Sequence, residues 1–305
     1  MTTTTYPLTV SARPRPRRRI QWAPILFLAA PLALYFAWII VPMFATGYIA
    51  LTNWDGISTA KFVGLSNFAW LFNNNEFGMA LGNNIKWLIV FMLIPTALGL
   101  GLAMVFNSDF PGSRWFKIAF YSPLVVSPAA IAVIWEAIYL PKDGLLNSFL
   151  RGIGIVDTPG WLADRSLVLW CIIAAATWRQ VGYIMILYLA GLKNIDVTLI
   201  EAATVDGANG WQRFRSVIFP LLGPVTVVVL VISVIDSLRS FDMVAIMTKG
   251  GPAGSSQVLA NFMYMRAFND YRMGYAAATA VILLVIMLCI IIPYLIHVAH
   301  TELEY

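Results

Sequence analysis

The chain has 305 residues, of which 60% are hydrophobic and only 11% charged; its formal charge is +5 and its mean hydropathy +0.77. Soluble chains are about 45–50% apolar and about 25% charged, so a water-soluble domain is excluded and lipid must be the solvent for most of the sequence. The basic residues flank apolar runs instead of forming a soluble basic face, which excludes a nucleic-acid partner and points to membrane orientation.

Residues 1–21 read as a basic cytoplasmic tail carrying Arg13, Arg15, Arg17, Arg18 and Arg19. Apolar runs come next at about Trp22–Ile49, Ile85–Phe106, Phe116–Leu140, Leu167–Leu192, Val217–Leu238 and Tyr275–Val298. Each is long enough for a helix, given that about 20 residues cross a bilayer core and a helix satisfies its own backbone in lipid. The expected fold class is therefore an all-α polytopic membrane protein, with six transmembrane helices over residues 22–298 and a short cytoplasmic tail at 299–305. The first run continues past the roughly 7–15 apolar residues of a signal peptide and lacks a clear cleavage site, so it reads as a retained helix. Pro31, Pro42, Pro95, Pro123, Pro128, Pro224 and Pro293 fall within the runs, where kinks are expected and not helix ends.

Short, basic connections at Arg114 and Lys117, and at Lys193, Arg213 and Arg215, alternate with longer loops in which basic residues are sparse. That density bias places both termini in the cytoplasm. Cys171 and Cys289 lie inside apolar runs and imply no disulfide; His297 and His300 make no metal cluster. No phosphate-binding GxxxxGK[ST] loop, HExxH motif or convincing catalytic triad occurs, so neither nucleotide hydrolysis nor other enzyme chemistry is expected of this chain.

Arg179 lies near the middle of the fourth run, where a charge costs roughly 2.5–3.5 kcal/mol on insertion scales and seldom faces lipid. Gln180 and Tyr183 are three residues apart and share a helix face. In the fifth run Ser233, Asp236, Ser237 and Ser240 are spaced i, i+3, i+4 and i+7, a polar stripe in a Val/Leu/Ile helix. Facing a solvated cavity, these groups suit a polyhydroxylated solute. In the alternative, Asp236 and Arg239 snorkel to water and Ser233 and Ser237 are small helix-packing residues.

The inside connection from Lys193 to Ser216 reads as helix, glycine corner, helix. A short helix over Ile195–Val205 stops at Asp206 and Gly207, and a second carries Trp211, Phe214 and Ile218 on one face. Apolar residues exposed there fit a partner protein that covers them, or else an amphipathic segment lying on the bilayer.

Glu201-Ala202-Ala203, Asp206-Gly207-Ala208, Phe214, and Ile218-Phe219-Pro220 with Pro224 together resemble the EAA loop of binding-protein-dependent ABC importer permeases. Phe62-Val63-Gly64-Leu65-Ser66-Asn67-Phe68 resembles the FVGLxNF segment of the carbohydrate-uptake branch, the type of the larger maltose and glycerol-phosphate permease subunit. Trp178 with Ala190-Gly191-Leu192, Gly250-Gly251-Pro252 and Gly274-Tyr275-Ala276-Ala277-Ala278 resemble further segments of it. The resemblance runs from about Pro24 to the end.

The resemblance implies a type I ABC importer transmembrane domain that passes a sugar from an extracellular or periplasmic substrate-binding protein across a bacterial cell membrane. Its partners would be a second homologous permease and two cytoplasmic ATPase subunits. ATP and magnesium would belong to those subunits, leaving this chain without a cofactor. Residues 193–216 would be the coupling loop, with Glu201, Ala202, Ala203, Asp206 and Gly207 docking on an ATPase. Arg179, Gln180, Tyr183, Ser233, Asp236 and Ser237 would line the substrate pathway; Arg179, Gln180 and Asp236 depart from the small or neutral residues of a maltose site. The alternative is an ion-coupled secondary transporter using Arg179 and Asp236 as a charge relay, which the absence of an inverted repeat or paired interrupted helices disfavours.

Overall fold

Helix dominates because each apolar run must satisfy its own backbone where no water can. A computed structural model describes residues 22–108 and 110–302, with side chains at 27–108 and 110–296. The arginine tail and the side chains of His297 and His300 lie outside the described part. Among the described residues the one β contact is an isolated bridge between Thr52 and Phe62.

The chain divides into two units at Ala45. In the first, α1 (Trp22–Tyr35) passes through a π-helical segment, Phe36–Ile40, into α2 (Val41–Ile49). Helix α2 continues into the second unit, which goes on with α3 (Ser66–Phe72), α4 (Asn75–Asn107), α5 (Ser113–Val125) and α6 (Pro128–Ile138). Then come α7 (Leu145–Gly152), α8 (Val168–Lys193), α9 (Val197–Val205), α10 (Gly210–Arg213), α11 (Phe219–Leu221) and α12 (Gly223–Leu238). The chain ends with α13 (Asp242–Met247), α14 (Leu259–Tyr264) and α15 (Met273–Glu302).

Four stretches are long and apolar enough to cross a membrane unbroken: Phe27–Ile49, Asn75–Asn107, Val168–Lys193 and Met273–Ile296. The remaining two candidates are bent pairs, α5 with α6 at 104° and Gly210–Leu221 with Gly223–Met247 at 69°. This corrects the expectation of kinks without ends, and with it the expectation that no helices are interrupted. Pro128 and Pro224 each lie in the first turn of a helix, where a proline gives up an N–H that would be unpaired anyway. Ser127 completes the start of α6 by accepting the Ala130 N–H at its hydroxyl, 3.2 Å away. Pro31, Pro95, Pro123 and Pro293 do lie inside helices, as expected. The π segments Phe36–Ile40 and Phe214–Ile218 each end two residues before a proline, Pro42 and Pro220, where a widened turn relieves the clash of the ring with the preceding turn.

Helix α4 is the spine of the second unit. Its Phe77 and Ala80 pack with Leu71, Leu259 and Phe262; Trp87 and Phe91 pack with Ile131, Ile172 and Val244; Ala103 and Phe106 pack with Ile184, Tyr188 and Leu222. Helix α8 lies between α4 and α5 so closely that a methyl group added at Gly182 would meet the Phe120 carbonyl oxygen at 1.8 Å. At one end, the Asn67 amide donates to the Ala50 and Thr52 carbonyls at 2.7 and 2.8 Å, and the Gly274 N–H donates to the Trp54 carbonyl at 3.1 Å. The FVGLSNF and GYAAA segments therefore meet, joining the end of α2 to the start of α15.

Candidate functional site

Helices α4, α8 and α12 converge, toward the end of the unit opposite the α9 connection, on a pocket of about 280 Å³. Asn84 of α4 sets the register: its amide donates to the Ser237 carbonyl at 3.2 Å, while its oxygen accepts the Leu259 N–H at 2.7 Å. Trp87 and Phe91, about one and two turns further on, thereby face the pocket. From α8 come Ala176, Arg179 and Gln180; from the end of α12 and beyond come Asp236, Arg239, Ser240, Phe241, Asp242 and Met243. Pro128, the first residue after the break between α5 and α6, completes the wall. The pocket therefore gathers the α5–α6 break and the non-helical Arg239–Phe241 segment. Irregular backbone at membrane depth is tolerated where it lines a cavity or is buried in protein.

The sequence-predicted pathway residues divide into two groups. Arg179, Gln180 and Asp236 come together, and the Gln180 amide donates to Asp236 Oδ2 at 3.0 Å. Tyr183, Ser233 and Ser237 lie off the pocket wall. Ser233 is fully buried and its hydroxyl makes no hydrogen bond among the described residues. The Ser237 hydroxyl donates to the Val234 carbonyl at 2.8 Å. The i+7 member of the stripe, Ser240, is beyond the end of α12 at Leu238; it reaches the pocket from the loop, its hydroxyl donating to the Ser237 carbonyl at 2.9 Å.

Sequence reasoning passed over Trp87, Arg239 and Asp242 as wall residues. Trp87 is 1% exposed, and both its Nε1–H and the Arg179 Nε–H are buried without an acceptor among the described residues. The available signal was weak: Asn84 and Trp87 are three apart at the start of an apolar run, and a lone tryptophan there reads as core.

The second candidate site is the α9 connection. The Asp196 carboxylate caps α9 by accepting the Thr198 N–H at 2.9 Å, which holds its pKa below the ordinary carboxylate value. The helix ends in a Schellman turn: the Ala208 N–H donates to the Ala203 carbonyl at 3.0 Å and the Gly207 N–H to Thr204 at 3.1 Å. Gly207 has φ +82°, the left-handed region that glycine enters without strain. Asn209 then opens the next helix through a capping box with Gln212. Arg213 reaches back across the corner to donate to the Thr204 hydroxyl at 2.6 Å. The result is a fixed elbow whose Glu201, Ala202, Asp206 and Gly207 are exposed and Ala203 half-buried. Val197, Leu199, Val205 and Trp211 are exposed as well, Val205 at 88%. A defined turn presenting apolar side chains has the form of a docking element.

Long apolar helices around a polar pocket, with a capped elbow opposite, define a multi-pass membrane protein of the transport class. Residues 19–301 match the family model of the binding-protein-dependent transport system inner membrane component, and the chain belongs to that family. A probable ABC transporter permease of Pyrococcus horikoshii is 34% identical over 273 residues, which is 89% of this chain and 94% of the relative. The lactose transport system permease protein LacF of Rhizobium radiobacter is 34% identical over 272 residues, covering 87% and 90% of the two chains. A probable starch degradation products transport system permease protein of Thermoanaerobacterium thermosulfurigenes is 31% identical, covering 86% and 89%. Among solved structures, a bacterial ABC transporter involved in import of the acidic polysaccharide alginate shares the fold, with TM-score 0.78 at 22% identity over 90% of this chain and 93% of that one. The resemblance seen in the EAA, FVGLSNF and GYAAA segments is borne out.

Proposed function

We propose that this permease passes a sugar, delivered by an extracellular or periplasmic binding protein, across a bacterial cell membrane at the expense of ATP hydrolysed on partner subunits. The observation that carries the reading is the Arg179–Gln180–Asp236 pocket in an inner membrane component whose relatives include permeases named for lactose and for starch degradation products. Hydroxyl-rich solutes need donors and acceptors close together, and this wall supplies both. Arg179, Gln180 and Asp236 form the contact surface of the pathway. Tyr183, Ser233 and Ser237 belong to the helix faces that shape it.

The elbow at residues 193–216, through Glu201, Ala202, Ala203, Asp206 and Gly207, docks on a cytoplasmic ATPase. The working assembly contains a second homologous permease and two ATPase subunits, which hold the ATP and magnesium. Residues 1–21 and 299–305 are cytoplasmic tails flanking the membrane domain at 22–298. The elbow's exposed apolar side chains and the density of basic residues on its side of the membrane support this arrangement. An ion-coupled transporter driven by Arg179 and Asp236 alone is not favoured, because the family is defined by dependence on a binding protein.

The test is to purify the complex, identify its chains, and screen binding proteins with saccharides for stimulated ATP hydrolysis and uptake into proteoliposomes. Saccharide-dependent hydrolysis is expected. Gradient-driven uptake by this chain alone would overturn the reading.

A further inference from the structure

A row of aromatic rings from two separate elements leads out of the pocket. Phe241, in the non-helical segment of the pocket wall, packs against Tyr264 of α14 with ring centroids 5.0 Å apart. Tyr264 packs in turn against Phe268, again at 5.0 Å, in the π-helical segment Met265–Asn269 that continues α14. Tyr264 is 41% exposed and Phe268 59%, so neither ring is spent on the core.

Two contacts with α4 fix the direction of the row. Asn84, level with the pocket through its bond to Ser237, accepts the Leu259 N–H at the start of α14. Eight residues earlier in α4, about 12 Å along its axis, Glu76 pairs with Arg266. The α14 helix and its π segment therefore run antiparallel to α4 and away from the elbow. The row climbs with them, from the pocket toward the end of the unit that is proposed to lie outside the cell.

A flat aromatic ring suits the C–H face of a sugar ring, whose hydroxyls at the rim need polar partners. The row offers both. Arg239, Ser240 and Asp242 flank its inner end on the pocket wall, and Tyr264 carries a hydroxyl that can donate or accept. Tyr264 and Phe268 also border an apolar cavity of about 280 Å³ against α15. An acyl chain suits that cavity, but following the rings on to Phe241 would desolvate the charges of Arg239 and Asp242 without pairing them, which is costly. A solute with apolar faces and a polar rim can follow the rings throughout.

We infer that Phe241, Tyr264 and Phe268 form a sugar-binding track on which the ring faces of an incoming saccharide stack, from the outer end of the permease into the pocket. This rests on the proposed sugar transport and adds the route of entry.

Cysteines at the two exposed rings test the track. Cys289 is replaced, and Cys171 is buried. Tyr264→Cys and Phe268→Cys are then probed in the purified complex of both permeases with their ATPases, without binding protein. A water-soluble maleimide should label both readily. The strongest stimulator of ATP hydrolysis among lactose, maltotriose and digalacturonate is then added at about four times its dissociation constant; it should slow both reactions about fivefold by occupancy. Ile57→Cys, exposed and outside the row, should be unaffected. Phe268→Leu, apolar but without a flat face, should lower uptake of that saccharide about fivefold, the scale of one aromatic contact, while Phe268→Trp keeps it. Cysteines that do not label before sugar is added would overturn the inference, because lipid or the second permease then covers the rings; labelling regained in the chain purified alone would identify the second permease. Labelling unslowed by a saccharide that stimulates hydrolysis, or unchanged uptake in Phe268→Leu, would overturn this inference alone. No stimulation by any of the three saccharides would overturn it together with the sugar reading.

Discussion

At Gly207 one backbone angle controls the corner of the elbow. An L-residue held in the left-handed region costs about 1–2 kcal/mol, and at φ +82° any side chain incurs it. The Schellman bonds from Ala208 and Gly207 depend on that angle, so a strained residue there shifts the chain between α9 and α10. Gly207→Val is expected to leave the chain in the membrane at near-normal amounts while lowering ATP-coupled saccharide uptake about tenfold, a loss that strain of about 1–2 kcal/mol at the proposed coupling element can produce. Quantified uptake in proteoliposomes, normalised to permease content, checks this. Asp206 and Gly207 are legible in sequence as a stop because glycine's conformational freedom is local. Trp87 is not, because whether an indole N–H has a partner depends on α8 and α12, more than 80 residues away in the chain.

Helix α9 is short, so its ends govern its order. The Asp196 cap is exposed, and its pKa is lowered first by the Thr198 backbone N–H. A carboxyl held low in the folded state contributes stability in full above its unfolded pKa, about 3.9, and loses that contribution as pH falls through the folded value. Hydrogen exchange on the intact complex should therefore show residues 197–199 losing protection in acid only below about pH 4. Asp196→Ala should show lower protection already at neutral pH. The packing of α8 on α5 makes a stronger demand. Alanine at Gly182 must displace the Phe120 carbonyl, so Gly182→Ala should lower stability by about 1–3 kcal/mol, the cost of overpacking, and reduce the melting temperature of the purified complex. Apolar periodicity marks where the runs lie but not where they break. Ser127-Pro128 has the cap-then-proline order of a helix start, yet inside an apolar run that pattern and a kink look alike. The pocket that the break lines is what separates them.

One pair of helices, α8 and α12, connects the pocket to the elbow. Helix α8 carries Arg179 and Gln180, and reaches Lys193 about 21 Å further on. Helix α12 leaves the elbow at Gly223 and ends two residues after Asp236. The pair is tied near one end by Gln180 and Asp236, and nearer the elbow by Tyr188, whose hydroxyl donates to Thr226 Oγ1 at 3.2 Å. Force applied at the elbow thus has a continuous packed path to the pocket wall, as the proposed coupling to a cytoplasmic ATPase requires. The proposed coupling predicts one orientation, with the elbow in the cytoplasm and the turn after α2 outside. Val205 and Ile57 are 88% and 87% exposed and serve as reporters. Cys171 is buried, so replacing the exposed Cys289 leaves a quiet background. In right-side-out vesicles, Ile57→Cys should react at once with a membrane-impermeant maleimide, and Val205→Cys only after permeabilisation. If the elbow is the proposed docking element, adding the cognate ATPase to permeabilised vesicles should then slow labelling at Val205→Cys and leave Ile57→Cys unaffected. Labelling of Val205→Cys from outside would reverse the topology. Unslowed labelling with the ATPase bound would remove the elbow as the point of coupling.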